Sequence, residues 1–163
     1  MAKVIYLDTS VLIEPIIGTD QATKSIVNES LHKMARHGGL IIIPQLVMGE
    51  ACTKIYERSL ESKSDPKSDT YRFIELLGKL NFNVKECIPP TTDRILQLAL
   101  AIQRNDNRID YCDCVIVSHA LSDDKATHLY TMDKYVMRST YIKKQLDDYK
   151  NENGHELRIS DTI

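Results

Sequence analysis

The chain has 163 residues, of which 42% are hydrophobic and 27% charged, and its formal net charge is −2. This length and balance favour a single folded domain spanning 1–163 and exclude a disordered or fibrous chain. No apolar run approaches the length of a membrane span, and the N-terminus lacks a signal-peptide pattern. We therefore expect a cytoplasmic protein with no membrane segment.

The acidic balance argues against tight, non-specific binding to nucleic acid, but it says little if the acids are concentrated in a metal site. The four cysteines, Cys52, Cys87, Cys112 and Cys114, include no CxxC pair. We interpret them as small buried side chains in a reducing compartment and not as zinc ligands.

The first part of the chain predicts a strand, a helix and a second strand. Residues 3–7 form an apolar strand that ends at Asp8. A helix is expected over 20–37, closed by the glycine pair at 38–39. Its apolar stripe consists of Ile26, Val27, Leu31 and Met34. Residues 40–43 predict a buried strand, and Pro44 suits the first turn of the next helix.

The middle of the chain is less regular. Residues 57–70 are polar and interrupted by Pro66, which predicts a loop or a frayed helix end. A helix is expected over 71–80, and a strand over 83–87, ahead of two prolines.

The last part predicts two helices and a strand. Thr92 is expected to cap a helix whose apolar stripe consists of Ile95, Leu98, Ala99 and Ile102. A second helix starts at Asp110 or Tyr111, and residues 128–131 form a strand. Short apolar strands that alternate with helices predict an α/β fold whose parallel sheet is covered on both faces.

Five acidic residues are placed where such a sheet carries its ligand site. Asp8 and Asp133 follow predicted strands, Glu50 lies in the helix after the second strand, and Asp110 and Asp113 begin a helix. Ligands bind beyond the carboxyl ends of parallel strands, so these side chains can converge there. Clustered carboxylates repel one another unless they hold protons or cations, and oxygen ligands without histidine suit Mg²⁺ or Mn²⁺. Taken singly, each acid could instead be a helix cap or a solvated surface residue.

Four segments together resemble the PIN-domain family in the right order. Residues 7–13, with Asp8-Thr9-Ser10 followed by aliphatic residues, resemble its opening motif. Gly49-Glu50 falls where the family places its glutamate. Residues 113–120 are similar to its third motif, and residues 130–134 match its final Thr-x-Asp.

The resemblance implies a three-layer α/β/α fold with a short parallel sheet of about four to five strands. The motif-bearing core would span 4–136, followed by a C-terminal helical extension over 137–163. It also implies metal-ion ligation and catalysis by four residues: Asp8, Glu50, Asp113 and Asp133. Asp110 would be an additional outer ligand, less firmly implied than the other four, and the Ser10 and Thr131 hydroxyls would orient the carboxylates. The implied reaction is hydrolysis of RNA phosphodiester bonds by water, with Mg²⁺ or Mn²⁺ as cofactor.

Substrate and partners are expectations of the same kind. The basic residues proposed to hold RNA phosphates are Lys54, Arg58, Lys134 and Arg138. The resemblance implies a homodimer and, if the protein is the toxin of a toxin–antitoxin pair, a small antitoxin protein that blocks the site. The alternatives are a housekeeping RNA-processing nuclease, a catalytically silent PIN module that binds RNA or protein, and an unrelated α/β domain. His119 is expected to be a packed or surface histidine.

Overall fold

The computed structural model describes residues 3–37, 39–80 and 89–161. In these ranges four strands alternate with eight helices, and the bounds are as follows. The strands are β1 (Val4–Leu7), β2 (Leu40–Ile42), β3 (Ala126–Tyr130) and β4 (Arg158–Ser160). The helices are α1 (Thr9–Ile17), α2 (Gln21–Arg36), α3 (Gln45–Glu61), α4 (Pro66–Lys79), α5 (Asp93–Asn105), α6 (Tyr111–Ser122), α7 (Lys134–Arg138) and α8 (Thr140–Asn153).

The strands form one parallel sheet in the order β2-β1-β3-β4. Ile5 of β1 pairs with Ile41 on one side and with His128 on the other. All four residues of β1 are buried, as expected for a central strand covered on both faces. The helices flank the sheet, so the predicted three-layer α/β/α fold with four to five strands is confirmed.

Two helical regions were not predicted. Helix α1 begins directly after β1, because the Asp8 side chain accepts a hydrogen bond from the Thr9 amide at the N-cap. The prediction of a loop or a frayed helix end over 57–70 was wrong for most of the segment, since α3 continues to Glu61, α4 already begins at Pro66 and only residues 62–65 connect them. Asp65 caps α4 by accepting hydrogen bonds from two backbone amides, and proline is favoured at the first helical position.

A helical extension was expected over 137–163, but the C-terminal segment is not helical throughout. Helix α8 ends at Gly154, whose φ of 73° is a left-handed conformation that glycine adopts without strain. The chain then returns to the sheet as β4 and pairs with β3. The Tyr149 hydroxyl lies 2.8 Å from the Asp123 carbonyl oxygen and 2.9 Å from that of Ala126, which fixes α8 against the start of β3.

Several local expectations need correction. Ile26 is 65% exposed and does not belong to the buried stripe of α2. Pro44 lies at the N-cap of α3, one residue before its first turn, and Thr92 occupies the N-cap of α5 without a side-chain hydrogen bond. The strand expected over 83–87 lies outside the described residues.

Buried and exposed side chains also separate differently from the prediction. Cys114 is buried, but Cys52 is exposed and Cys112 is only half-buried. His119 is buried as expected, and burial lowers its pKa to about 4. Among the described helices, none is long and apolar enough to cross a membrane.

Candidate metal centre

The sheet brings two of the predicted acids to one edge. Asp8 follows β1 and forms the N-cap of α1, while Asp133 follows β3 and forms the N-cap of α7. Because β1 and β3 are parallel neighbours, the carboxyl ends of both strands lie side by side. Glu50 in the second turn of α3 and Asp113 in the first turn of α6 complete the group.

Asp8 is the most enclosed of these carboxylates, with only 2% of its surface exposed. One oxygen accepts a hydrogen bond from the Thr9 amide at 2.7 Å. The other accepts from the Ser10 hydroxyl at 2.6 Å and from the Thr131 hydroxyl at 2.9 Å. Burial raises the pKa of Asp8, although these three donors favour its charged form. The two hydroxyls singled out in the sequence thus fix the orientation of the Asp8 carboxylate.

The same hydroxyls are themselves held by the backbone that follows β3. The Met132 amide donates to the Ser10 hydroxyl oxygen at 3.0 Å, and the Asp133 amide donates to that of Thr131, also at 3.0 Å. Each hydroxyl therefore links the segment after β1 to the segment after β3. The positions of Asp8 and Asp133 are coupled through this network.

Asp113 lies within the negative field of the other three acids. Burial and, next, the charge of Asp8 raise the pKa of Asp113 to about 9. A side-chain hydrogen bond with Asp133 and the charges of Asp133 and Glu50 act in the same direction. A hydrogen bond between two carboxyl groups needs a proton on one of them, so the cluster holds a proton where a cation could bind.

Glu50 is anchored on both oxygens. The Thr9 hydroxyl donates to one of them at 2.6 Å, and the Lys54 ammonium lies 2.5 Å from the other. Neither contact was predicted from the sequence, which gave Thr9 no role and assigned Lys54 to RNA. The four-residue spacing of Glu50 and Lys54 on one helix was the signal that could have revealed the ion pair.

Asp110 lies on another side of Glu50. It caps α6 by accepting a hydrogen bond from the Cys112 amide at 2.9 Å, and its side chain is exposed. Glu50, Asp110 and Cys112 each offer a ligand atom, and these atoms lie within 4.8 Å of one another. Cys112 was not predicted at this site, because the cysteines include no CxxC pair and the approach of its thiol to Glu50 depends on how α3 and α6 pack.

The other basic residues predicted to hold RNA phosphates are exposed on two helices. Arg58 is exposed on α3, and Lys134 and Arg138 are exposed on the short helix that Asp133 caps. A groove of about 640 Å³ opens beside Glu50 and is mainly apolar. Its lining includes Leu46, Gly49, Pro90, Thr91 and Cys112.

A family model described as the PIN domain matches residues 5–140, a range that contains all five acids discussed above. No curated protein matches the chain.

Proposed function

The chain belongs to the PIN-domain family, and from that premise we propose that it is a metal-dependent endoribonuclease. PIN domains are generally metal-dependent nucleases, so the family supports the hydrolysis of a phosphodiester. The observation that carries the proposal is the electrostatic convergence of Asp8, Glu50, Asp113 and Asp133 at the carboxyl edge of the sheet.

The donor set fits a hard divalent cation. The four clustered side chains offer carboxylate oxygens only, which suit Mg²⁺ or Mn²⁺ better than zinc. The raised pKa of Asp113 supports this, because a cluster that favours a proton on Asp113 would also be stabilised by a cation. When bound, such a cation supplies Lewis acidity, which polarises a phosphodiester and makes a water molecule more acidic. Asp110 adjoins this set through Glu50 and would act as an outer ligand. The neighbouring Cys112 thiol does not suit a hard cation, and burial raises its pKa to about 11.

The protein's own contribution is the orientation of the carboxylates before substrate arrives. Ser10 and Thr131 hold Asp8 in one rotamer, and Thr9 does the same for Glu50. Burial excludes water from Asp8 and strengthens its interaction with any cation. In this proposal water is the nucleophile and no side chain forms a covalent intermediate.

We place the RNA strand across the open side of this cluster. The groove beside Glu50 offers an apolar surface for the base next to the scissile phosphate. Exposed cations on α3 and α7, including Arg58, Lys134 and Arg138, would contact flanking phosphates. An exposed aromatic ring, Tyr135, lies among them and could stack on a base.

Two biological roles are compatible with this activity, a toxin of a toxin–antitoxin pair and a housekeeping RNA-processing nuclease. The toxin role requires a small inhibitory partner protein that blocks the acidic cluster. For this role we also propose that the chain forms a homodimer. Co-expression with the product of a neighbouring short reading frame, followed by a cleavage assay, distinguishes the two. A silent PIN module is the competing proposal, and it requires RNA binding without cleavage.

The decisive experiment is cleavage of a mixed RNA pool in Mg²⁺, in Mn²⁺ and in EDTA. Asp113→Asn is the sharpest variant, because asparagine cannot ionise to bind a cation yet can keep a hydrogen bond to Asp133. Glu50→Gln is paired with Glu57→Gln, which changes an exposed glutamate on the same helix. We expect metal-dependent cleavage by the wild type and Glu57→Gln, and a loss of at least about 100-fold for Asp113→Asn and Glu50→Gln. Cleavage that survives in EDTA or in Asp113→Asn would contradict the proposed site.

A further inference from the structure

The contact between Lys54 and Glu50 differs from an ordinary ion pair on a helix surface. Glu50 retains only 14% of its side-chain exposure, while Lys54 retains 42%. The ammonium lies 2.5 Å from one Glu50 oxygen, and the Thr9 hydroxyl occupies the other. Both Glu50 oxygens therefore already have a partner, and a cation that binds Glu50 must share one of them with the Lys54 ammonium or the Thr9 hydroxyl.

The charge of Lys54 also acts beyond Glu50. The Glu50 hydrogen bond and charge raise the pKa of Lys54 against the opposing effect of burial, and the charges of Asp113 and Asp8 add to this. Asp8 caps α1 and Asp113 lies on α6, so neither shares a helix with Lys54. Although Lys54 is partly exposed, its positive charge therefore acts on several acids of the cluster and not on Glu50 alone.

We propose that Lys54 is an internal counter-ion that competes with the divalent cation for Glu50 and so sets the metal affinity of the site. This inference rests on the proposed metal site and adds a residue that weakens metal binding. A monovalent ammonium and a divalent ion repel each other at such distances. Metal binding must then displace Lys54 from the Glu50 oxygen, and the ammonium moves to the rim of the cluster.

The test compares Mn²⁺ binding by isothermal titration calorimetry for the wild type, Lys54→Met, Lys54→Arg and Arg58→Met. Arg58→Met is the matched control, because it removes one positive charge from an exposed position on the same helix. We expect Lys54→Met to bind Mn²⁺ about three- to tenfold more tightly than the wild type. Lys54→Arg and Arg58→Met should remain within about twofold of the wild type.

A second measurement separates competition from a merely structural role. Without metal, Lys54→Met should unfold at a lower temperature than the wild type, because four carboxylates lose their counter-ion. Saturating Mn²⁺ should remove this difference. The inference is overturned if Lys54→Met still unfolds at a lower temperature than the wild type in saturating Mn²⁺. It is also overturned if the Mn²⁺ affinity of Lys54→Met is unchanged or weaker.

The outcomes also distinguish this inference from the proposed function. If the wild type binds Mn²⁺, Asp113→Asn does not, and Lys54→Met matches the wild type, only the role of Lys54 is wrong. If neither the wild type nor any variant binds Mn²⁺, the metal site itself is refuted, and the proposed role of Lys54 is refuted with it.

Discussion

The proton held by Asp113 predicts an unusual pH dependence of stability in the metal-free protein. The pKa of this carboxyl is about 9 in the folded chain, against 3.8 for an ordinary aspartate. The folded state therefore binds a proton that the unfolded state has released at neutral pH. By linkage, the stability from this proton is fully present below about pH 4 and is lost as the pH rises toward 9.

A second group decides where the effect becomes visible. Burial lowers the pKa of His119 from 6.5 to about 4. Between pH 4 and 6.5 the unfolded chain therefore binds a proton on His119 that the folded chain does not bind, and the free energy of unfolding from this group rises with pH. The contributions of His119 and Asp113 therefore oppose each other below pH 6.5. Above about pH 8.5 the thiols begin to act, since burial raises the pKa of Cys112 to about 11. The interval from pH 7 to 8.5 isolates Asp113 and Asp8, whose raised pKa acts in the same direction.

One proton difference changes the free energy of unfolding by about 1.4 kcal/mol per pH unit. Across pH 7 to 8.5 we expect the metal-free protein to lose about 2 kcal/mol. Urea unfolding in EDTA, followed by circular dichroism at four pH values, measures this loss directly. In saturating MnCl₂ the loss should vanish, because ionised carboxylates bind the cation more tightly as the pH rises.

Asp113→Asn tests the assignment. It should be more stable than the wild type at pH 8.5 in EDTA and show a much flatter profile. Asp124→Asn, which changes an exposed aspartate, should keep the wild-type slope. Our reasoning is refuted if the wild type is equally stable at pH 7 and 8.5 in EDTA, or if Asp113→Asn retains the full slope.

Two further predictions concern the support of the site and the groove beside it. Thr131→Val should weaken Mn²⁺ binding about 10- to 100-fold in a calorimetric titration, because Asp8 loses a hydroxyl donor. Thr127→Val, in the preceding strand β3, should leave Mn²⁺ binding unchanged, since its hydroxyl donates to the Val4 carbonyl oxygen. Gly49→Ala should raise the free energy of unfolding by about 1 kcal/mol in urea, because a Cβ there meets no atom within 4 Å and alanine favours the helix. Gly49→Leu should lower RNA cleavage while Mn²⁺ affinity stays constant; unimpaired cleavage would remove the groove from the substrate site.

The layer order and the position of the acids followed from local patterns. A short apolar run ending in a polar residue is typical of a buried parallel strand, and the carboxyl ends of such strands share one edge. Asp8 and Asp133 could be placed there because Asp8 directly follows β1 and Asp133 comes shortly after the end of β3. Glu50 and Asp113 lie on helices, so their convergence depends on how α3 and α6 pack, and sequence spacing alone does not give that packing.

The missed elements have identifiable causes. An aspartate after a strand can begin a turn or cap a helix, and the aliphatic run after Asp8 is compatible with either. The segment 57–70 is polar because much of the α3–α4 hairpin is exposed, and the Asp65-Pro66 pair starts a helix as readily as it breaks one. Strand β4 is only three residues long, with one apolar side chain, and its pairing with β3 is a long-range contact.

The late position of β4 has a consequence for the synthesis of the protein. The Thr131 amide donates to the Ser160 carbonyl oxygen at 3.1 Å, while the Thr131 hydroxyl donates to Asp8. The support of the first acid in the chain is therefore completed by residues that leave the ribosome more than a hundred codons later. A nascent chain carries all four carboxylates well before β4 can pair, so we expect ribosome-bound chains to be poor nucleases. This order would protect the messenger RNA that is being translated from the enzyme it encodes.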